Sequence, residues 1–237
     1  MSLVAARLIL DGPRPARENM ALDETLFTEA LSSPYAATLR LYSWSPHAIS
    51  LGRRQKLDAV NVDACRKMGI DVVKRPGGGA AVYHNEEITY CFVCRLDKIP
   101  LPGVGAWRNI FSTFLETLGV APDGASPRTI GSLSGNACFA CAAEDEPTIG
   151  GKKFAGSARR KSKTVFMQHG SILLKRQPDF LGELVKNAEP DASIGLTDIL
   201  PGITAEKVSS VFAGMVASQF HLRFDPAGFT GREMAKM

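Results

Sequence analysis

Short glycine-rich turns between apolar strands constrain the fold of this chain most strongly. The sequence Pro76-Gly77-Gly78-Gly79 follows a predicted strand at 70–74, with Arg75 between them, and directly precedes an apolar segment at 80–83. So few residues cannot form a helix between two strands, which argues against strict βαβ winding. Runs rich in β-branched and aromatic residues at 88–95 and 164–174 predict further strands. The chain is therefore predicted to be α+β, with a mixed or antiparallel sheet and helices packed on it.

Amphipathic segments supply the helices that would cover this sheet. The segment 20–31 is predicted to be a helix capped by Asn19, because its apolar residues recur every four positions, and Asp23 would then lie in the first turn. Further predicted helices span 63–68, 107–118 and 205–220, and further strands span 38–43, 48–51 and 154–158.

Composition indicates one domain without specialised surfaces. The 237 residues fit a single domain over 1–237, with a tail at 227–237 that is expected to fray. The net charge of +4, without a long basic run, favours no nucleic-acid partner, and no apolar run is long enough to predict a membrane span. The start of the chain does not resemble a secretory signal, and the odd number of 5 cysteines favours reduced thiols in the cytoplasm.

The turn at 74–79 could bind an anion, since its glycines expose backbone N–H groups and Lys74 and Arg75 add charge. A plain tight turn between strands is an equally good interpretation of these residues alone. His84, which follows the next strand, could orient a ligand or bond to a loop carbonyl. His169 lies on an apolar face of a predicted strand, so a buried core histidine is the favoured interpretation.

The cysteines form two CxxC pairs, Cys91/Cys94 and Cys138/Cys141. A shared zinc site is not expected, because the pairs are much further apart than the roughly 15 to 20 residues typical of a zinc ribbon. Cys91 and Cys94 should also point to opposite faces of their strand. No metal site is predicted.

Cys138 follows a loop rich in Gly and Ser, and a nearby ammonium, with Lys153 as the candidate, would favour its nucleophilic thiolate. The residues alone still favour an ordinary half-buried cysteine. In the segment 153–158, Lys153, Ala155 and Ser157 would share one face, and the small side chains would leave the backbone open to a ligand.

Together these segments resemble the lipoate-protein ligase A/B and biotin-ligase superfamily, and most closely its octanoyltransferase branch of the LipM type. The resemblance rests on five ordered segments, at 18–24, 44–52, 74–90, 151–158 and 168–174. It implies a fold like that of biotin synthetase and the class II aminoacyl-tRNA synthetases. It further implies that Cys138 carries the acyl thioester and that Lys153 lowers the pKa of its thiol. The substrate-binding residues that it implies are Arg75, Gly78, Gly79, His84, Gly156, Ser157, Ala158 and His169.

The resemblance also implies the reaction. Octanoyl-acyl carrier protein would donate its acyl group to Cys138, and a lysine of a lipoyl-domain E2 subunit or of the glycine-cleavage H protein would then accept it. No cofactor is expected, since the thioester arrives activated. Two alternatives remain: an ATP-dependent lipoate ligase, which would use ATP and Mg²⁺, and a non-catalytic protein that binds acyl groups. The basic segment 159–163 is a predicted docking surface for an acidic acceptor.

Overall fold

The computed structural model describes residues 2–123, 137, 139, 146–188 and 191–236. Its strands are β1 (Val4–Arg14), β2 (Ala37–Trp44), β3 (Ala48–Leu51), β4 (Asp71–Lys74), β5 (Val82–His84), β6 (Glu87–Arg95), β7 (Thr148–Ile149), β8 (Lys152–Lys153), β9 (Ala155–Lys161), β10 (Val165–Leu173) and β11 (Leu222–Pro226). Its helices are α1 (Ala16–Thr28), α2 (Val62–Lys67), α3 (Val104–Thr117), α4 (Leu181–Leu184), α5 (Leu196–Ile199), α6 (Ala205–Phe220) and α7 (Gly231–Met234), with 3₁₀ turns at Ala30–Ser32 and Leu57–Ala59.

The main sheet is six-stranded and mixed, with the order β11-β1-β2-β6-β10-β9. Strand β1 runs parallel to both β11 and β2, whereas β6 runs antiparallel to β2 and β10, and β9 runs antiparallel to β10. In a smaller sheet, β3 pairs with β4 in parallel and with β5 in antiparallel orientation. The predicted α+β class with a mixed sheet is confirmed.

Helices cover both faces of the main sheet. On one face, the aromatic residues Trp107 and Phe111 of α3 and Phe212 of α6 pack against Tyr90 of β6, and all of them are buried. Helix α1 covers the opposite face with a smaller apolar cluster. The two faces of β6 are thereby buried, as expected for a central strand. Among the described residues, no helix combines the length and apolar character needed to span a membrane.

The cysteines of β6 follow the alternation of the strand. Cys91 packs beneath α1 and Cys94 packs beneath α3 and α6, so that the two thiols lie on opposite faces of the sheet. Burial raises the pKa of Cys94 to about 12 and raises that of Cys91 well above its usual value. Both are protonated core residues, and no group of side chains suited to a metal ion occurs in the described part of the chain.

Helix α1 begins earlier than the sequence predicts, and Asn19 does not cap it. Pro15 occupies the N-cap position, so that Asn19 and Asp23 lie within the helix, fully buried. The Asn19 amide donates to the carbonyl oxygen of Ser43 at 2.9 Å instead of capping its own helix. Side chains that bond across to a strand therefore override the local capping preference.

The tail at 227–237, which is predicted to fray, contains a short helix in the part that the structure describes. Helix α7 begins with a capping box between Thr230 and Glu233. The Glu233 carboxylate accepts two hydrogen bonds from the Arg7 guanidinium, at 2.6 and 2.9 Å, and both side chains are buried. This bidentate pair anchors the tail to β1, a strand that the sequence patterns do not predict.

Candidate active site

A cavity opens between the main sheet and the smaller sheet. It encloses a small space of about 30 Å³. The predicted site residues that line it are Arg75, His84, Gly156, Ser157, Ala158 and His169. Lining residues that the sequence analysis did not single out include Met20, Tyr42, Trp44, Ser50, Thr89 and Ser171.

Arg75 holds the glycine-rich turn in place. Its guanidinium donates to the carbonyl oxygens of Ser50, Gly78 and Ala80 at 2.9, 2.7 and 2.7 Å, and also to the Ser50 hydroxyl at 3.1 Å. These bonds fix a turn in which Gly79 has a positive φ of 89°. Neither Gly78 nor Gly79 is among the residues that line the cavity. Arg75 thus supports the cavity wall through backbone carbonyls.

His84 belongs to a chain of buried polar groups. Its Nδ1 lies 2.8 Å from Glu87 Oε1, and its Nε2 lies 2.7 Å from the Ser50 hydroxyl. The Trp44 indole stacks on the imidazole at 3.9 Å between ring centroids and donates to the Thr89 hydroxyl at 2.7 Å. The two ring nitrogens of His84 are therefore both occupied, and the side chain is held in one orientation.

A second buried network joins α1 to the sheet beneath the cavity. The Asp23 carboxylate accepts from Arg40 at 2.9 Å and from the Tyr42 hydroxyl at 2.8 Å, and lies 3.4 Å from Nδ1 of His169. Arg40 also donates to Asp11 at 2.8 Å. Burial acts to raise the pKa of Asp23, but the hydrogen bond from His169 and the charge of Arg40 hold that pKa below its usual value. Asp23 is therefore an ionised group at neutral pH.

A tight hairpin presents the predicted lysine. Strands β7 and β8 are joined by Gly150 and Gly151, whose φ values of 57° and 75° are typical of a two-residue hairpin turn. The Asp123 carboxylate accepts from both glycine N–H groups, at 3.1 and 2.7 Å. The hairpin places Lys153 at the start of the segment that continues into β9, which is the lysine strand that the sequence predicts.

The Lys153 ammonium is buried and paired with an acid that the sequence analysis did not identify. Its Nζ lies 2.7 Å from Glu146 Oε2, and both side chains are almost fully buried. Glu146 Oε1 also accepts from the backbone N–H of Ser157 at 2.7 Å. In addition, the ammonium lies 5.2 Å from the ring centroid of Phe139, within cation–π range. A positive charge and a backbone donor thus converge on one carboxylate.

Both predicted thiols of this region, Cys138 and Cys141, lie outside the described residues. The neighbours of Cys138 in sequence are described and buried. Ala137 forms a parallel bridge with Ala81, and Phe139 packs with Val82, which lines the cavity. Both neighbours therefore pack against the segment at the wall of the cavity.

The basic segment 159–163 is partly engaged within the chain. Arg159 donates to Gln168 at 2.8 Å, and Arg160 pairs with Glu24 of α1. The two lysines of the segment are exposed. Docking of an acidic partner through this segment therefore stays a prediction that rests on its lysines.

Comparison with known proteins assigns the family. The lipoyl protein ligase A/B catalytic domain matches residues 15–213. The octanoyltransferase LipM of Symbiobacterium thermophilum is 34% identical over 221 residues, covering 87% of this chain and 74% of that protein. The octanoyltransferase LipM of Moorella thermoacetica is 31% identical over 256 residues, covering 98% of this chain and 92% of that protein.

Solved structures share the fold at lower identity. An archaeal bi-partite lipoate protein ligase, described with its E2 lipoyl domain from Thermoplasma acidophilum, superposes with a TM-score of 0.76 and 21% identity. The superposition covers 98% of this chain and 90% of that one. The mixed sheet and its helices are therefore those of a lipoate-protein ligase fold, and this chain belongs to the lipoyl protein ligase A/B catalytic domain family.

Proposed function

We propose that this chain is an octanoyltransferase of protein lipoylation, which moves an octanoyl group from a thioester to a lysine side chain of an acceptor protein. The curated relatives that bear the name octanoyltransferase LipM support this assignment over most of the chain. The cavity supports it chemically, because apolar side chains such as Met20 and Val82 line it together with a few polar groups. An eight-carbon acyl chain is suited to such a lining.

Cys138 is the nucleophile in this proposal. The observation that carries it is the position of the Lys153 ammonium, 5.2 Å from the ring of Phe139, the residue that follows Cys138. A cation close to a thiol favours the thiolate. The thiolate attacks the donor's carbonyl carbon, a new C–S bond forms, and the donor thiolate leaves. The acyl group then rests on Cys138 as a thioester.

The same lysine strand supplies candidates for stabilising the charge that develops on the carbonyl oxygen. The Lys153 ammonium and the Ser157 N–H both bind one carboxylate, that of Glu146, at 2.7 Å. They contact different oxygens of that carboxylate, Oε2 and Oε1, so each is a separate candidate donor to an oxyanion. In the reaction the substrate oxygen would take the place of Glu146, and the carboxylate would move aside.

The partners and the compartment are part of the proposal. The donor is octanoyl-acyl carrier protein, and the acceptor is a lipoyl-domain E2 subunit or the glycine-cleavage H protein. No ATP and no metal ion are needed, because the acyl group arrives as a thioester. Reduced thiols, as in the buried Cys65, Cys91 and Cys94, are consistent with the cytoplasm.

Intact mass spectrometry after mixing with octanoyl-acyl carrier protein tests this proposal. We expect one octanoyl adduct that hydroxylamine removes, since hydroxylamine cleaves thioesters. The adduct should be absent in Cys138→Ser and present in the matched variant Cys141→Ser. An adduct that persists in Cys138→Ser, or no adduct on the unmodified chain, would contradict the mechanism.

The ligase alternative is tested by a separate exchange assay. A lipoate ligase would catalyse exchange of labelled pyrophosphate into ATP in the presence of lipoate. We expect no such exchange. A non-catalytic binder would instead retain the acyl group without passing it to a lipoyl domain.

A further inference from the structure

Exposed basic side chains emerge from one end of the smaller sheet. Strands β3 and β4 run in parallel and end side by side, with Leu51 and Lys74 paired in register. The turn that follows β3 carries Arg53 and Arg54, and Lys56 comes two residues later. All four cationic side chains are exposed. Arg53, Arg54, Lys56 and Lys74 are together called the basic patch below.

The charges of the basic patch are available to a partner. Within the part of the chain that the structure describes, none of its four side chains forms an ion pair or a side-chain hydrogen bond. Asp58 is the only acid in the segment 52–60. In the segment 159–163, by contrast, Arg159 and Arg160 are engaged by other side chains of the chain. The basic patch therefore creates a local positive potential that attracts an acidic molecule.

The basic patch adjoins the glycine-rich turn at 76–79, which packs on the cavity wall. The Arg53 N–H donates to the carbonyl oxygen of Gly77 at 2.9 Å. A Cβ atom on Gly77 would lie 2.9 Å from the Cβ of Ala158, a residue that lines the cavity. Arg75, the cation within this segment, is buried and donates to backbone carbonyls of the turn. The exposed charge beside the turn therefore comes from the basic patch.

An exposed apolar side chain accompanies these charges. Leu57 directly follows Lys56, begins a 3₁₀ turn and is 54% exposed. The turn before it has a fixed shape, because the Gly52 N–H donates to the Gln55 side chain at 3.1 Å and the Gln55 N–H donates to the Gly52 carbonyl at 2.9 Å. A free anion would need only the cations, whereas an apolar side chain next to arginines is typical of a protein interface.

The proposed reaction has two protein partners, and the reach of their reactive groups separates their docking surfaces. The acceptor offers a lysine side chain, which is short, so the acceptor must dock close to the cavity. Strand β9 meets this need, because residues 156–158 line the cavity and the basic segment 159–163 continues from them. The donor carries its acyl group at the end of a long phosphopantetheine arm. It can therefore dock further away, on the outer side of the glycine-rich turn.

We propose that the basic patch, together with Leu57, docks the acidic surface of the carrier protein that delivers the octanoyl thioester; this inference rests on the proposed octanoyl transfer. The cations attract the carrier, Leu57 adds apolar contact, and the arm passes along the glycine-rich turn into the cavity. Ala81, which follows that turn, forms a bridge with Ala137, the residue before Cys138. The turn thus connects the basic patch to the segment that precedes the proposed nucleophile.

Charge reversal in Arg53→Glu/Arg54→Glu tests the basic patch. Acyl-enzyme formation is followed by intact mass with octanoyl-acyl carrier protein, octanoyl-phosphopantetheine and octanoyl-pantetheine as donors. KM for the carrier protein should rise at least about 10-fold, because like charges then face each other across the interface. KM for the two small donors should stay close to that of the unmodified chain. The matched control is Lys98→Glu/Lys207→Glu, which makes the same charge change at exposed lysines outside the cavity and should leave all three values unchanged.

A carrier protein without its arm gives a second readout that does not depend on transfer. Apo-carrier should inhibit the unmodified chain in competition with octanoyl-acyl carrier protein, and this inhibition should weaken as the ionic strength rises. Arg53→Glu/Arg54→Glu should lose the inhibition. If that variant does not fold, Arg53→Gln/Arg54→Gln, which removes the charges without reversing them, is measured in the same way.

Three results would overturn the inference and leave octanoyl transfer intact. The first is an unchanged KM for octanoyl-acyl carrier protein in the charge-reversed variant. The second is an equal rise in KM for octanoyl-phosphopantetheine, which would mean that the phosphate, and not the carrier surface, is recognised. The third is an equal rise in KM for the acceptor lipoyl domain, which would mean that the surface is not specific for the donor. Absence of acyl-enzyme on the unmodified chain would instead remove the proposed function itself.

Discussion

Asp23→Asn is the most informative single change in the buried network beneath the cavity. The Asp23 side chain is fully buried and accepts from Arg40 at 2.9 Å and from Tyr42 at 2.8 Å. Removing one partner of a buried ion pair typically costs about 3–5 kcal/mol. Arg40 keeps its bond to Asp11 at 2.8 Å, so we expect a cost at the lower end, about 3 kcal/mol. At about 2–4 °C per kcal/mol for a chain of this size, Tm should fall by about 6–12 °C.

Thermal unfolding at several pH values measures this effect. Because the pKa of Asp23 is lowered in the folded state, its ionisation stabilises the protein above the unfolded value of about 3.9, and that stabilisation is lost as the pH falls through the folded value. The difference in Tm between the unmodified chain and Asp23→Asn should be constant above about pH 5 and shrink below it. Tyr42→Phe, which removes one hydrogen bond, should cost only about 1 kcal/mol. Equal stability at pH 7, or a difference that shrinks as pH rises, would refute the reasoning.

Two further changes test the walls of the cavity. Glu146→Gln removes the negative charge beside the Lys153 ammonium but keeps an oxygen that can accept from the Ser157 N–H. The uncompensated ammonium should favour the Cys138 thiolate, so iodoacetamide should alkylate Cys138 several-fold faster at neutral pH. Slower alkylation would mean that the Glu146 carboxylate activates the lysine. Gly52→Ala places a Cβ 1.9 Å from the carbonyl oxygen of Gly79, so the glycine-rich turn must shift, and we expect weaker octanoyl binding in calorimetry. Gly105→Ala, where a Cβ meets nothing, is the matched control, and equal binding in both variants would contradict this view of the turn.

Local patterns are sufficient to predict the central strands and the longest helices. Helix α6 begins and ends at the predicted residues, and the alternating run at 164–174 forms β10 almost as predicted. Strands β1 and β11 are not predicted, because their pairing joins the two ends of the chain and neither segment alternates clearly. Pairing between segments so far apart cannot be recognised from the local hydrophobic pattern of either segment.

The candidate site is predictable mainly through the family resemblance. That resemblance, and not the residues alone, singles out the lysine strand and both cavity histidines, and the structure places the two histidines and residues 156–158 around the cavity. Asp23 and Glu146 escape prediction as site residues for a different reason. Asp23 acts on His169, 146 residues away, whereas Glu146 acts on Lys153, seven residues further along the chain, and neither carboxylate shows in the sequence which group it will contact. His84 and Glu87, which are three residues apart, are close enough in sequence to suggest a pair.

The buried ion pair between Arg7 and Glu233 affects how the chain folds during synthesis. The two residues are 226 positions apart, and the strand that carries Arg7 also pairs with β11. An emerging chain would therefore expose this edge of β1 until β11 had been translated. Contacts so distant in sequence slow folding. A ribosome-bound fragment lacking the last strand should consequently be the species most prone to associate with other chains through that open edge.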